Sequence, residues 1–182
     1  MGIFVRTGVT GAKTMGSSLD KPTAPFGGDP KYSTGLTIAK DDAAVVKRIN
    51  DAVAEVTSKA ASTLWAGKRP SRSPIKDGDT CSQDYLHGTI ILNAKTKRSP
   101  QLYHLDGSPA RAEEFEGGAT VNADLCFFAY NFRGTVGIGV GLDRLTLVKP
   151  AERDDPASTA SSQTPTTQPA GSLAEENWDF LN

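Results

Sequence analysis

Two alternating segments separated by a tight turn constrain this chain more than any other feature. From Val121 the odd positions read Val121, Ala123, Leu125, Phe127 and Ala129, and the even positions read Asn122, Asp124, Cys126, Phe128, Tyr130 and Phe132. Extended backbone sends successive side chains to opposite faces, so the pattern predicts a strand over Gly118 to Phe132. Alternation resumes after Asn131-Phe132-Arg133-Gly134, with Val136, Ile138, Val140 and Leu142 set against Gly137, Gly139 and Gly141. A second long strand, Thr135 to Val148, and a hairpin between the two follow. The glycines fall at every second position and do not open a helix, so they are no dinucleotide fingerprint. Instead they leave one sheet face bare, which suits barrel curvature or the close approach of another chain.

The rest of the body is read the same way. Pro30 to Ala39 alternates, with Tyr32, Thr34, Leu36 and Ile38 on one side. Asp41 or Asp42 then caps a helix whose Val45, Val46, Ile49, Ala52, Val53 and Val56 recur at helical spacing to about Ala61. Residues 66–80 form a basic, proline-containing loop. Tyr85 to Lys95 and Gln101 to Leu105 are further strands, and Gly2 to Thr7 is a candidate first strand followed by a loop. Short strands with one inserted helix predict a mainly β fold, an antiparallel five-stranded barrel of the OB type.

A chain of 182 residues is one domain, here with a tail. Residues 151–176 hold three prolines among Ser, Thr and Gln, and Leu173 is their one large aliphatic side chain. Such a segment cannot offset the entropy of ordering itself. The expected division is therefore a domain over 1–150 and a disordered acidic tail over 151–182. Charge divides at the same place. Residues 1–150 carry 19 basic and 15 acidic groups, a net of +4, while 151–182 carry one basic and six acidic groups, a net of −5. A basic body with an acidic tail suits a polyanion-binding domain whose tail competes or recruits, or else a solvated surface with a solubility tail. The tail ends in Asn177-Trp178-Asp179-Phe180-Leu181-Asn182. Glu175, Glu176, Trp178, Asp179 and Phe180 read as a partner-binding motif, and the alternative is that this end docks on its own domain.

Two cysteines, Cys81 and Cys126, are too few for a disulfide framework or a Cys-rich zinc site. No apolar run approaches the ~18 residues of a membrane span, and the first 16 residues lack the apolar region of a signal peptide. A cytoplasmic protein with no membrane association is expected. The catalytic inventory is thin. His87 and His104 have no paired metal spacing, and there is no P-loop and no G-x-S-x-G. Asp77, Asp79 and Asp84 are the only local candidates for a nuclease metal site and lack a confirming pattern. The expectation is a non-enzymatic protein without a cofactor.

Phe128, Tyr130 and Phe132 share one face of their strand and form either a stacking platform for bases or part of a core or dimer interface. Basic groups cluster at Lys68, Arg69, Arg72 and Lys76, and again at Lys95, Lys97 and Arg98, with Arg133 in the hairpin turn. Basic loops beside aromatic-bearing strands are the combination expected of a single-strand binder.

Several segments, in order, resemble the phage and prophage family of single-stranded DNA-binding, helix-destabilising proteins related to the T7-type protein. They are Pro30-Lys31-Tyr32-Ser33, Ile38 to Asp42 with the following helix, Lys76-Asp77-Gly78-Asp79 and Asn93-Ala94-Lys95. Cys126 to Asn131 and Gly137 to Leu142 complete the series. The resemblance covers residues 30–148 and, in kind, the acidic, aromatic-ended tail. It implies an OB-fold that coats single-stranded DNA in phage replication and recombination, and a tail that touches replication partners and competes for the DNA groove. A homodimer rests on the resemblance alone. The chain departs from the T7-type pattern in having Leu181 and Asn182 after Phe180. A structural or assembly β-barrel of a phage, without nucleic-acid affinity, is the alternative. RNA stays open as a ligand, because no motif here reads a 2′-hydroxyl.

Overall fold

The computed structural model describes residues 2–24 and 27–152. Seven strands run in chain order: β1 (Phe4–Thr23), β2 (Lys31–Ala39), β3 (Ile75–Asp77), β4 (Thr89–Thr96), β5 (Gln101–His104), β6 (Thr120–Phe132) and β7 (Thr135–Lys149). One long helix, α1 (Ala43–Ser62), joins β2 to β3. The sheet order is β3-β4-β2-β1-β6-β7-β5, and β4 also meets β7. Five strands thus close on themselves as β1-β2-β4-β7-β6, while β3 and β5 lie along the rim.

The expected barrel is present, and its closure is mixed. The β1–β2, β2–β4, β1–β6 and β6–β7 pairs are antiparallel. The closing pair is parallel, with Lys95 bridged to Gly141. Inside the barrel sit the apolar sets read from the alternation. Thr34, Leu36 and Ile38 of β2, Ile90, Leu92 and Ala94 of β4, and Val121, Ala123, Leu125 and Phe127 of β6 are all buried.

The first strand corrects the expectation. It runs to Thr23 rather than ending near Thr7. Register shifts interrupt its pairing, between Val9 and Ala12 against β6 and between Thr14 and Ser17 against β2. Gly11, at φ 68°, takes up the first of them. Each bulge breaks the period of two, so a continuous strand reads as a loop. The strand expected from Tyr85 starts only at Thr89, because residues 84–86 make a tight 3-10 turn that buries Leu86. The basic loop contributes the three residues of β3 to the edge of β4.

Helix α1 starts where Asp42 accepts a hydrogen bond from the Val45 amide at 3.2 Å. Val45, Ile49, Ala52, Val56 and Ala60 form its buried stripe and join the barrel core. Burying each of the larger ones contributes about 1.5–3 kcal/mol. The helix packs against β1, β6 and β7. No helix among the described residues is long and apolar enough to cross a membrane.

Candidate nucleic-acid interface

The β6–β7 hairpin turns on Arg133 (φ 50°) and Gly134 (φ 83°). Two left-handed residues in a two-residue loop match the twist of the flanking strands. This turn fixes the register, placing Tyr130 opposite Gly137, Phe128 opposite Gly139 and Cys126 opposite Gly141. The glycine face of β7 is therefore not bare. A Cβ built on Gly137 would stand 2.5 Å from Tyr130 Cζ, and one on Gly139 would overlap the end of the Phe128 ring and stand 2.8 Å from its Cε2. Neither glycine has a positive φ. They are needed for space: the aromatic rings of β6 lie across them.

Each ring keeps a side open. Phe128 is 39% exposed and Phe132 66%. Beside them runs a groove of about 860 Å³. Its floor holds Phe128, Tyr130, Gly139 and Gly141, and its walls carry Lys31, Arg72, Lys76, Lys95 and Lys97. Of these cations Lys97 is paired with Asp29. That lysine, by hydrogen bond and charge, holds the Asp29 carboxyl below its usual range. Arg72, Lys76 and Lys95 form no ion pair among the described residues, so their charge is free to meet an anion.

The groove wall is held by side chains that periodicity does not reveal. Trp65, just past the end of α1, is buried and donates from Nε1 to the Tyr130 carbonyl at 3.1 Å. Asn131 Nδ2 donates to the Leu64 carbonyl at 3.2 Å. The Ser71 amide and hydroxyl both donate to the Val136 carbonyl, at 3.1 and 3.2 Å. The loop bearing Arg72 and Lys76 is thereby fastened to both strands of the hairpin. Burial, with the Asp143 carboxylate nearby, pushes the Cys126 thiol up, so the groove floor carries a neutral thiol.

The structure brings together Arg72, Lys76, Lys95, Lys97, Phe128, Tyr130 and Phe132. It does not bring Lys68 or Arg69 into the groove; both are exposed further back in the loop. Arg133 sits in the turn with its guanidinium 5.3 Å from the Phe132 ring centre. Arg98 opens onto a neighbouring hollow. Lys31 was not singled out from the sequence, since a lone lysine at a strand start carries no pattern. Asp77 and Asp79 are both engaged by Lys40 Nζ at 2.5 Å, which ties the 77–79 turn to the end of β2. Glu175, Glu176, Trp178, Asp179 and Phe180 lie outside the described residues.

A family model described as Enterobacter phage Enc34, ssDNA-binding protein, matches residues 17–163. The chain belongs to the Enc34 ssDNA-binding protein family. A solved structure of the single-stranded DNA-binding protein from bacteriophage Enc34 in complex with ssDNA is 26% identical, with a TM-score of 0.71 over 82% of this chain and 89% of that one. A C-terminal truncation of the Enc34 protein is 25% identical, with a TM-score of 0.70 over 81% and 87%. At 16% identity, gp2.5, a single-stranded DNA binding protein encoded by bacteriophage T7, shares the fold, with a TM-score of 0.63 over 81% of this chain and 93% of that one. No curated protein sequence matches the chain significantly. The Enc34 family match includes β2 and the β6–β7 hairpin, which line the groove, together with α1, and all of these carry the resemblance read from the sequence.

Proposed function

We propose that this protein binds single-stranded DNA along the β6–β7 groove, without sequence preference and without catalysis. Arg72, Lys76, Lys95 and Lys97 meet phosphates, with Lys31 beside them. Phe128 and Tyr130 stack on bases, and Phe132 with Arg133 extends the platform at the turn. The observation that carries this reading is the pair of aromatic rings, Phe128 and Tyr130, whose ends reach across Gly139 and Gly137, flanked by the cations Arg72, Lys76 and Lys95 that form no ion pair among the described residues. A single strand needs both features: π-faces that accept any base and positive charge along its backbone. A duplex hides its bases and can use only the charge. The relative solved with ssDNA supports the ligand class.

Membership of a phage ssDNA-binding family supports a biological role within this proposal. The protein coats single-stranded DNA during phage replication and recombination, in the host cell cytoplasm. Its acidic tail, through Glu175, Glu176, Trp178, Asp179 and Phe180, recruits replication or recombination proteins.

The test is fluorescence anisotropy of labelled oligo-dT and of duplex of equal length across a salt series. Single strands release about 0.7 counterions per neutralised phosphate. The five groove cations therefore predict a log–log salt slope of about −3.5. No binding at low salt, or equal binding of duplex, would sink the reading, and large self-assemblies without DNA affinity would favour a structural barrel.

A further inference from the structure

The groove does not end at its own wall. Thr96, Leu142 and Asp143 also line a second hollow of about 630 Å³. Three arginines from separate parts of the chain converge there: Arg6 from β1, Arg98 from the segment after β4, and Arg144 from β7. In the sequence they share no pattern. The β1–β6 register brings β1 alongside, setting Phe4 opposite Phe128 and Arg6 opposite Cys126. Phe4 is 55% exposed and lies across the strand pair from the platform ring. Directly opposed residues hold their Cβ atoms about 4.5–5.5 Å apart, so the aromatic surface continues onto β1.

We propose that a bound single strand runs on from the groove into this hollow, with Phe4 as a further stacking surface and Arg6, Arg98 and Arg144 as phosphate contacts. This rests on single-strand binding in the groove. In the free protein two of the arginines are held by carboxylates. Arg6 Nε lies 3.2 Å from Asp143 Oδ2, and Arg144 Nε lies 3.9 Å from Asp124 Oδ2. Both pairs are open to solvent, with side chains 44–72% exposed. Exposed pairs of this kind are weak, whereas a guanidinium grips phosphate through two parallel hydrogen bonds. A phosphate therefore displaces the carboxylate at little cost, and the aspartates keep the arginines in place until it arrives. Arg98 forms no ion pair among the described residues.

The experiment compares two lengths of oligo-dT, about 6 and about 16 nucleotides, within the range that one OB-fold covers. Full-length protein is used, and native mass spectrometry selects one-to-one complexes. The Arg6→Ala/Arg144→Ala double variant should bind the short oligonucleotide within about twofold of the parent. Its affinity for the long one should fall at least tenfold, with the salt slope shallower by about 1.4 for two lost phosphate contacts. Arg6→Lys/Arg144→Lys should retain the slope. Asp124→Asn, which removes a repelling charge from the hollow alone, should tighten the long oligonucleotide only. Unchanged long-oligonucleotide affinity and slope would overturn the extended path while leaving the groove intact. An equal loss at both lengths, in a variant with a normal circular-dichroism melt, would also overturn it. Failure of the parent protein to bind either length would instead remove the function on which the path depends.

Discussion

Gly139→Ala isolates what the glycines of β7 do. The added Cβ would overlap Cζ of Phe128 and stand 2.8 Å from Cε2. Carbons in contact sit at about 3.5–4.0 Å, so the ring must move by roughly 1 Å or more. The ring is partly exposed, and it can swing outward rather than force the strands apart. Gly139 has no left-handed φ, so the backbone accepts alanine. Alanine in a strand interior gains roughly 0.5–1 kcal/mol over glycine, which offsets the lost ring packing. The fold should survive, with Tm moving by no more than about 5 °C. Binding should not survive intact. A base–aromatic stack is worth about 1–3 kcal/mol, so losing the ring's orientation weakens oligo-dT binding by up to about 5- to 150-fold. The decisive assay is a double-mutant cycle by anisotropy at fixed salt. Once Phe128→Ala has removed the ring, Gly139→Ala should cost nothing further. Wild-type affinity for Gly139→Ala, or a loss that adds fully to that of Phe128→Ala, would refute the idea that the glycine acts through the ring.

Other expectations are as direct. Lys95→Ala should flatten the salt slope by about 0.7 while weakening all oligonucleotide sequences alike; a sequence-dependent loss would argue for base reading. Removing residues 153–182 takes away acidic charge and should raise DNA affinity at low salt, an effect that fades as salt rises; unchanged affinity would speak against competition by the tail. Lys40 holds the Asp77 and Asp79 carboxyls below their usual range, mainly through its hydrogen bonds to them. Their contribution to stability is present above the ordinary carboxylate value and is lost as pH falls through the lowered ones. Thermal melts of Lys40→Ala should therefore lose less stability than the parent on going from neutral pH to below about pH 4. The same pairing raises Lys40, and its share is lost only in strong alkali. Trp65→Phe removes the bond to the Tyr130 carbonyl and should cost about 0.5–1.5 kcal/mol in urea unfolding, beyond any packing loss.

The β6–β7 hairpin was legible because its period of two runs unbroken on both sides of the turn. That separated two faces, but whether Phe128, Tyr130 and Phe132 lay outside the barrel or packed in a core was decided only by the fold. Helix α1 was legible through its apolar stripe and the Asp42 cap. β1 was not, because its bulges reset the alternation and its inward positions include Ala12 and Thr14, too small or too polar to stand out. The neighbours it brings, Phe4 and Arg6, were hidden with it. The glycines were seen, but a count of glycines cannot say that rings from the next strand will lie on them; that depends on register, set at Arg133 and Gly134. Trp65 gave no periodic signal, because its role is a single hydrogen bond to a distant carbonyl. Asp77 and Asp79 suggested a cation site until Lys40, 37 residues from the first of them, supplied the cation itself.

The barrel is a belt fastened by one link. Among the described residues β4 and β7 share a single bridged pair, Lys95 with Gly141, whereas β6 and β7 are paired along nearly their whole length. Breathing of the ring is therefore easiest at that buckle. The groove straddles it, with Lys95 and Lys97 on one side and Phe128 and Tyr130 on the other. A polymer bound across both sides acts as a splint over the weakest join, and by linkage its binding energy becomes resistance to opening. Loaded protein should then be stiffer than free protein at the seam, and amide exchange at Lys95 and Gly141 should slow more than exchange in the β6–β7 ladder.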